Sequence, residues 1–261
     1  MTDIMEPGGM IDNMPVNEIA GRRITPVIFM IDVSGSMSGS KIRTVNSAMQ
    51  DIVNDLSNFS NSDSEIRYAV MSFTDSCKWE TGEQGLIQCD GLWQDLSTYG
   101  GTSFNQACLV LKDRMSGKKE NGLFKFASGK TITPPVVILL TDGYPTDGDA
   151  NGMTGISELR KNKYFQGSYK VAIAIGDDAN LILCRNFTED EELVYTVYSS
   201  KVLEAVLKAV VKNSVSVSSS GASDISTVKN PNEFSVNTEQ LAGAIKNEIP
   251  DTFSTEIKDW D

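Results

Sequence analysis

The sequence contains no histidine. That absence removes Ser-His-Asp and Cys-His nucleophile machinery, His-based zinc sites and the usual neutral-pH general base. Any metal bound by this chain must be held by oxygen donors, with thiolates as the lesser alternative. Cysteine is nearly as scarce. Cys77, Cys89, Cys108 and Cys184 are scattered, with no CxxC pair, and a reducing cytoplasmic compartment is the simplest reading. Positive charge is also short, with 23 Lys and Arg against 35 Asp and Glu and a formal net charge of −12. This argues against nucleic acid and anionic membrane surfaces as main partners, since both need clustered Lys and Arg. No apolar run reaches membrane-spanning length, and the longest, Pro134–Leu140, is a strand's worth. Met1–Met10 is acidic and Gly-containing, without the apolar stretch of a secretory signal.

What is present is enough apolar residue, 40% of 261, for one large α/β domain with short extensions. Strand-like runs fall at Pro26–Val33, Ile66–Phe73, Val136–Thr141, Tyr169–Ile175 and Val194–Val197. The first and fourth are apolar on both faces, as strands covered on both sides should be. A weaker run, Cys77–Thr81, reads as a short antiparallel partner of Ile66–Phe73. Helical spacing appears at Ile42, Val45, Asn46, Met49, Ile52, Val53 and Leu56, then across Phe104–Met115, Met153–Lys161 and Lys201–Lys212. Strands alternating with helices predict a three-layer, doubly wound, mainly parallel sheet with one short antiparallel edge strand. The expected organisation is an N-terminal extension over residues 1–23, the α/β domain over 24–213, and a Ser-rich linker with an acidic tail over 214–261. The tail carries eight Asp and Glu against three Lys, and Leu241, Ala244, Ile245 and Ile249 line one face of a short helix that Pro250 ends.

Three short motifs carry the chemistry. Asp32-Val33-Ser34-Gly35-Ser36 ends the first strand, Gly100-Gly101-Thr102-Ser103 precedes the Phe104 helix, and Thr141-Asp142-Gly143 follows VVILL. In an open α/β sheet, ligands bind beyond the carboxyl ends of the strands, where strand order reverses. The loops therefore converge, offering the carboxylates of Asp32 and Asp142 and the hydroxyls of Ser34, Ser36 and Thr102. This set of hard oxygens suits Mg²⁺, with Mn²⁺ as a plausible substitute.

DVSGS, GGT and TDG, in this order and on this background, resemble the metal-ion-dependent adhesion site of von Willebrand factor A domains. The resemblance spans about 190 residues. It implies that Ser34, Ser36 and Thr102 coordinate the metal directly. Asp32 and Asp142 contact it directly or through water, and one position stays open for an acidic residue of a protein partner. Arg22-Arg23, the Thr141–Asp147 segment and the VKNSVSVSSS run further resemble bacterial TerY-like proteins, associated with tellurite resistance and general stress. That narrower resemblance implies a cytoplasmic adaptor working beside a PP2C-type phosphatase and a protein kinase.

Plainer readings compete at several positions. Ser34 or Ser36 in a strand-to-helix turn could merely cap a helix, but Ser40 is the better capping candidate for the Lys41 helix. Asp147 and Asp149 read as decoration of a solvated loop, and the methionines mostly as core filler, although Met37 beside the first motif could line the ligand surface. Trp79 and Trp93 read as hairpin packing. The acidic tail reads as solubilising, although Glu256, Asp259 and Asp261 around Trp260 could offer the site a carboxylate of the chain's own. An enzyme of the haloacid dehalogenase type, a Mg²⁺-dependent phosphatase or phosphotransferase, is the alternative function. It needs a second carboxylate two residues after the first, where this chain has Ser34. Nucleotide-binding GxxxxGK[ST] and GxGxxG signatures are absent.

Overall fold

The computed structural model describes residues 23–60, 64–82, 85–88, 92–125, 130–219 and 236–249. The extension before residue 23, Cys89 and the Trp260 segment lie outside the described residues. The strands are β1 (Arg23–Asp32), β2 (Ser64–Phe73), β3 (Cys77–Trp79), β4 (Ile87–Gln88), β5 (Val136–Thr141), β6 (Tyr169–Ile175) and β7 (Val194–Val197). The helices are α1 (Ser40–Asp55), α2 (Phe104–Arg114), α3 (Met153–Leu159), α4 (Lys163–Gln166), α5 (Leu181–Thr188), α6 (Ser200–Ser219) and α7 (Thr238–Glu248).

The sheet order is β3-β2-β1-β5-β6-β7, parallel from β2 through β7, while β3 and β4 both run antiparallel to β2. The central strands are buried on both faces because alternate residues feed two cores. On β1, Val27, Phe29 and Ile31 join the core beneath α1, α6 and α7, whereas Ile24, Ile28 and Met30 join the one beneath α2 to α5. The expected three-layer, doubly wound α/β architecture is the one found. On the second face Phe73, Phe104, Phe187 and Phe165 form a chain of edge-to-face ring contacts, with centroids 5.7–6.4 Å apart.

The two central strands, β1 and β5, are where the order reverses. After β1 the chain crosses to β2 on one side, and after the β2 edge it returns to β5 on the other. The loops leaving their carboxyl ends therefore diverge and open a crevice, the place where this architecture binds ligands.

Several readings change. Ser40 is the first residue of α1 rather than its cap. The cap position is Gly39, which has no side chain to offer. Helix α6 continues through Ser214 to Ser219, into the segment read as linker. Val215 is buried in the core there, and the buried Ser214 hydroxyl is satisfied by donating to the Val210 carbonyl at 2.6 Å. The acidic segment beyond it is not wholly free of the domain. Leu241, Ala242 and Ile245 of α7 are fully buried in the α1–α6 core, and Glu248 pairs with Lys212 and accepts from Asn213 at 2.7 Å. Helices α4 and α5 had no sequence reading. No helix among the described residues is long and apolar enough to cross a membrane.

Candidate metal centre

All five oxygen-bearing residues singled out in the sequence come to the crevice between β1 and β5. Asp32 ends β1 with no exposed surface. Its Oδ1 accepts the Ser34 N–H at 2.8 Å and its Oδ2 accepts the Thr141 hydroxyl at 2.6 Å. Ser34 and Ser36 share a hydroxyl–hydroxyl hydrogen bond of 3.0 Å, and Ser36 donates to Asp142 Oδ1 at 2.8 Å. A continuous path of polar contacts thus links Thr141, Asp32, Ser34, Ser36 and Asp142. Neither serine hydroxyl caps the 3₁₀ turn Gly35–Met37, which sets aside the capping reading. Met37 turns inward and is fully buried, leaving the loop's hydroxyls to face the crevice.

Thr102 arrives on a separately braced loop. Asn46, in the apolar repeat of α1, exchanges two hydrogen bonds with the Leu96 backbone, at 2.9 and 3.0 Å, and so anchors the segment leading into it. The Tyr99 N–H donates to the Val33 carbonyl, and the Gly35 N–H to the Gly100 carbonyl, both at 3.0 Å. From the turn after β2, the Thr74 hydroxyl donates to the Tyr99 carbonyl and Asp75 Oδ1 accepts the Gly101 N–H at 2.8 Å. Gly100 has a φ of +65°, and a Cβ there would lie 2.2 Å from Asp75 Oδ2, so a side chain would strain the turn and push the Asp75 carboxylate aside. Thr146 completes the brace, accepting the Thr102 N–H at 3.0 Å and donating its own N–H to the Thr102 carbonyl at 2.9 Å.

The residues fit a small hard cation. A Cβ on Gly143 would stand 2.9 Å from Asp32 Oδ2 and 3.3 Å from Thr102 Oγ1, so the bare glycine lets its backbone approach these two oxygens closely. Two carboxylates, Asp32 and Asp142, are buried here with hydroxyls as the neighbouring donors. Burial pushes the Asp32 carboxyl above the ordinary carboxylate range. Hydrogen bonds from Thr141 and Ser34 pull it back, and the charge of Asp142 pushes it further up. Among the described residues there is no cluster of three or more His, Cys, Asp or Glu that could hold a metal by itself.

Sequence reasoning missed the supporting residues. Lys41, in the first turn of α1, places Nζ 2.5 Å from Asp142 Oδ2 and 2.7 Å from Asp178 Oδ1. Burial opposes its charge, but the hydrogen bonds to Asp142 and Asp178 outweigh that and hold the ammonium above the usual lysine value. Asp147 and Asp149 are not loop decoration. Asp147 accepts the N–H groups of Asn105 and Gln106 at 3.1 and 2.7 Å, capping α2, and Asp149 accepts those of Met153 and Thr154, both at 2.8 Å, capping α3. A capping signal was present for Asp149, four positions before Met153, whereas Asp147 caps a helix remote in sequence.

A family model described as the von Willebrand factor type A domain matches residues 27–209. The chain belongs to that family. This VWA domain is 27% identical over 222 residues to inter-alpha-trypsin inhibitor heavy chain H6 of Homo sapiens, covering 80% of this chain and 16% of that protein. It is 29% identical over 161 residues to inter-alpha-trypsin inhibitor heavy chain 4 of Mus musculus, covering 59% and 16%. The chain therefore spans about a sixth of the length of these relatives. Among solved structures it is similar to a von Willebrand factor type A protein from Catenulispora acidiphila, with a TM-score of 0.54 and 17% identity, covering 75% of this chain and 43% of that one. It is also similar to proximal thread matrix protein 1 of the mussel byssus, with a TM-score of 0.53 and 24% identity, covering 75% and 46%. That mussel protein was solved with a zinc-occupied metal-ion-dependent adhesion motif. The VWA assignment removes the haloacid dehalogenase alternative, whose acid position is held here by the buried Ser34.

Proposed function

We propose that this VWA domain is a divalent-metal-dependent protein-binding module without catalytic activity. The observation that carries the reading is the convergence of the buried Asp32 and Asp142 with the hydroxyls of Ser34, Ser36 and Thr102 at the carboxyl ends of β1 and β5. Those five residues would hold Mg²⁺ or Mn²⁺, and the zinc named for the mussel protein shows that a related site takes a divalent ion. A bound dication supplies a positive centre for a carboxylate of a partner protein. Without such a centre a chain of net charge −12 would repel an acidic partner. Asp32 and Asp142 offset the ion's charge, and Thr141 and Thr146 hold Asp32 and the Thr102 loop in place so that little ordering remains to be done on binding. The chain has no histidine, and Ser34 stands where haloacid dehalogenase-type phosphotransfer needs its second carboxylate, which speaks against that chemistry.

The finer reading is a cytoplasmic adaptor of the TerY type, serving a bacterial stress or tellurite-resistance system with a PP2C-type phosphatase and a protein kinase as partners. It is supported by the Arg22-Arg23, TDGYPTD and VKNSVSVSSS segments. The test is calorimetric titration of Mg²⁺ and Mn²⁺ into the full chain and into Asp142→Ala, with affinity capture from the native cell in the presence and absence of EDTA. Loss of metal binding in Asp142→Ala and EDTA-sensitive capture of a phosphatase or kinase are expected. Equal metal affinity in the two proteins overturns the site, and EDTA-insensitive capture overturns its use.

A further inference from the structure

We infer that Lys41 is a tethered competitor of the divalent ion, setting the site's metal affinity, and that Asp178 is the station that holds its charge when Asp142 is given up to the metal. The inference rests on the metal reading above and concerns this chain's own residues toward that ion.

The geometry is specific. Both oxygens of Asp142 are engaged. Oδ1 accepts from Ser36 at 2.8 Å, within the proposed ligand set, and Oδ2 accepts from Lys41 at 2.5 Å. The Asp142 side chain is 1% exposed and that of Lys41 is 20% exposed, so water screens this pair poorly. A dication drawn to Asp142 meets an ammonium on the same carboxylate and is repelled by it. Asp178, on the loop between β6 and α5, is 2.7 Å from the same Nζ, and its side chain is 68% exposed. It stands at the open end of the bridge, where a displaced ammonium keeps a partner and gains solvent. Metal binding is then an exchange of cations on Asp142, and its free energy depends on how readily Lys41 shifts toward Asp178. The same bridge gives the buried Asp142 a counter-charge of the chain's own.

Signed consequences follow for three variants, titrated with Mn²⁺ as full chains. Lys41→Gln removes the competitor and binds Mn²⁺ about tenfold more tightly, the size expected for losing one poorly screened like charge. Asp178→Asn removes the station and binds more weakly than the native protein. The double variant behaves as Lys41→Gln, because Asp178 acts only through the lysine. Thermal unfolding gives the second readout. Lys41→Gln melts below the native protein in EDTA and recovers the difference in saturating Mn²⁺. Asp178 is exposed, so Asp178→Asn keeps its fold even if the lysine variant does not. Unchanged or weaker Mn²⁺ binding in Lys41→Gln, or additive effects in the double variant, overturns the inference alone. Failure of the native protein to bind Mn²⁺ overturns the metal reading and the inference with it.

Discussion

Thr141 and Asp32, 109 positions apart in the chain, are joined by a 2.6 Å hydrogen bond from the threonine hydroxyl to Oδ2 of the carboxylate. The same hydroxyl oxygen accepts the Gly143 N–H at 3.0 Å. One buried side chain therefore fixes the acid ending β1 and shapes the turn leaving β5. Thr141→Val keeps the shape and removes both bonds, stranding a buried carboxylate oxygen and a buried N–H. A loss of about 1–3 kcal/mol is expected, with weaker Mn²⁺ binding as Asp32 loses its orientation. Urea unfolding at neutral pH with coincident midpoints would contradict this.

Helix α3 packs on α2 through a glycine. A Cβ at Gly155 would lie 2.6 Å from Asn105 Cα and 2.8 Å from the Asn105 carbonyl oxygen, both backbone atoms that cannot swing away. Alanine is the better helix former by about 1 kcal/mol, yet Gly155→Ala is expected to destabilise by about 1–3 kcal/mol net, because overpacking outweighs propensity. The melting temperature reads the sign directly. A rise would show that the two helices are free to separate.

Asp149 gives the domain a pH signature. Hydrogen bonds from the Thr154 backbone and side chain, with further ones from Met153 and Asn151, lower its carboxyl to about 2. A folded-state value below the ordinary 3.8 means that the charged cap favours folding above pH 4, and that this contribution fades as pH falls toward 2. Asp149→Asn is expected to cost a few tenths to about 1 kcal/mol at pH 7, the range for an exposed cap. The gap to the native protein should close on acidification between pH 4 and 2. A gap that stays constant across that range would exclude the charge as its source.

The α7 contact can be tested from its centre. Ile245 is fully buried against the α6 side of the core, so Ile245→Ala is expected to cost about 2–5 kcal/mol by lost burial and cavity formation. Denaturant midpoints that do not differ would mean that α7 contributes nothing to the folded domain.

The sequence by itself determined the layers and offered five candidate oxygen donors. Short unbroken apolar runs and apolar stripes at helical spacing are local signals, so β1, β2, β5, β6, β7, α1, α2, α3 and the body of α6 were legible from neighbouring residues alone. Asp32, Ser34, Ser36, Thr102 and Asp142 were legible for a related reason. Each sits at a strand or helix end, all but Asp32 next to a glycine, and the switch point of a doubly wound sheet brings such ends together. Helix α5 was missed because LILCRNFT is short and opens as an unbroken apolar run, and its start is marked only by Asn180, which accepts the Leu183 N–H at 3.1 Å.

Only the tertiary structure decided what surrounds those donors. Lys41 meets Asp142 and Asp178, Asp147 caps a helix 42 positions before it, and Asn46 pins a segment 50 positions on. No spacing rule links such pairs, because their distance in the chain carries no information about their distance in space. They become neighbours once burial of the two cores has set the loops against one another, and from that moment low exposure makes each charge and each hydrogen bond count.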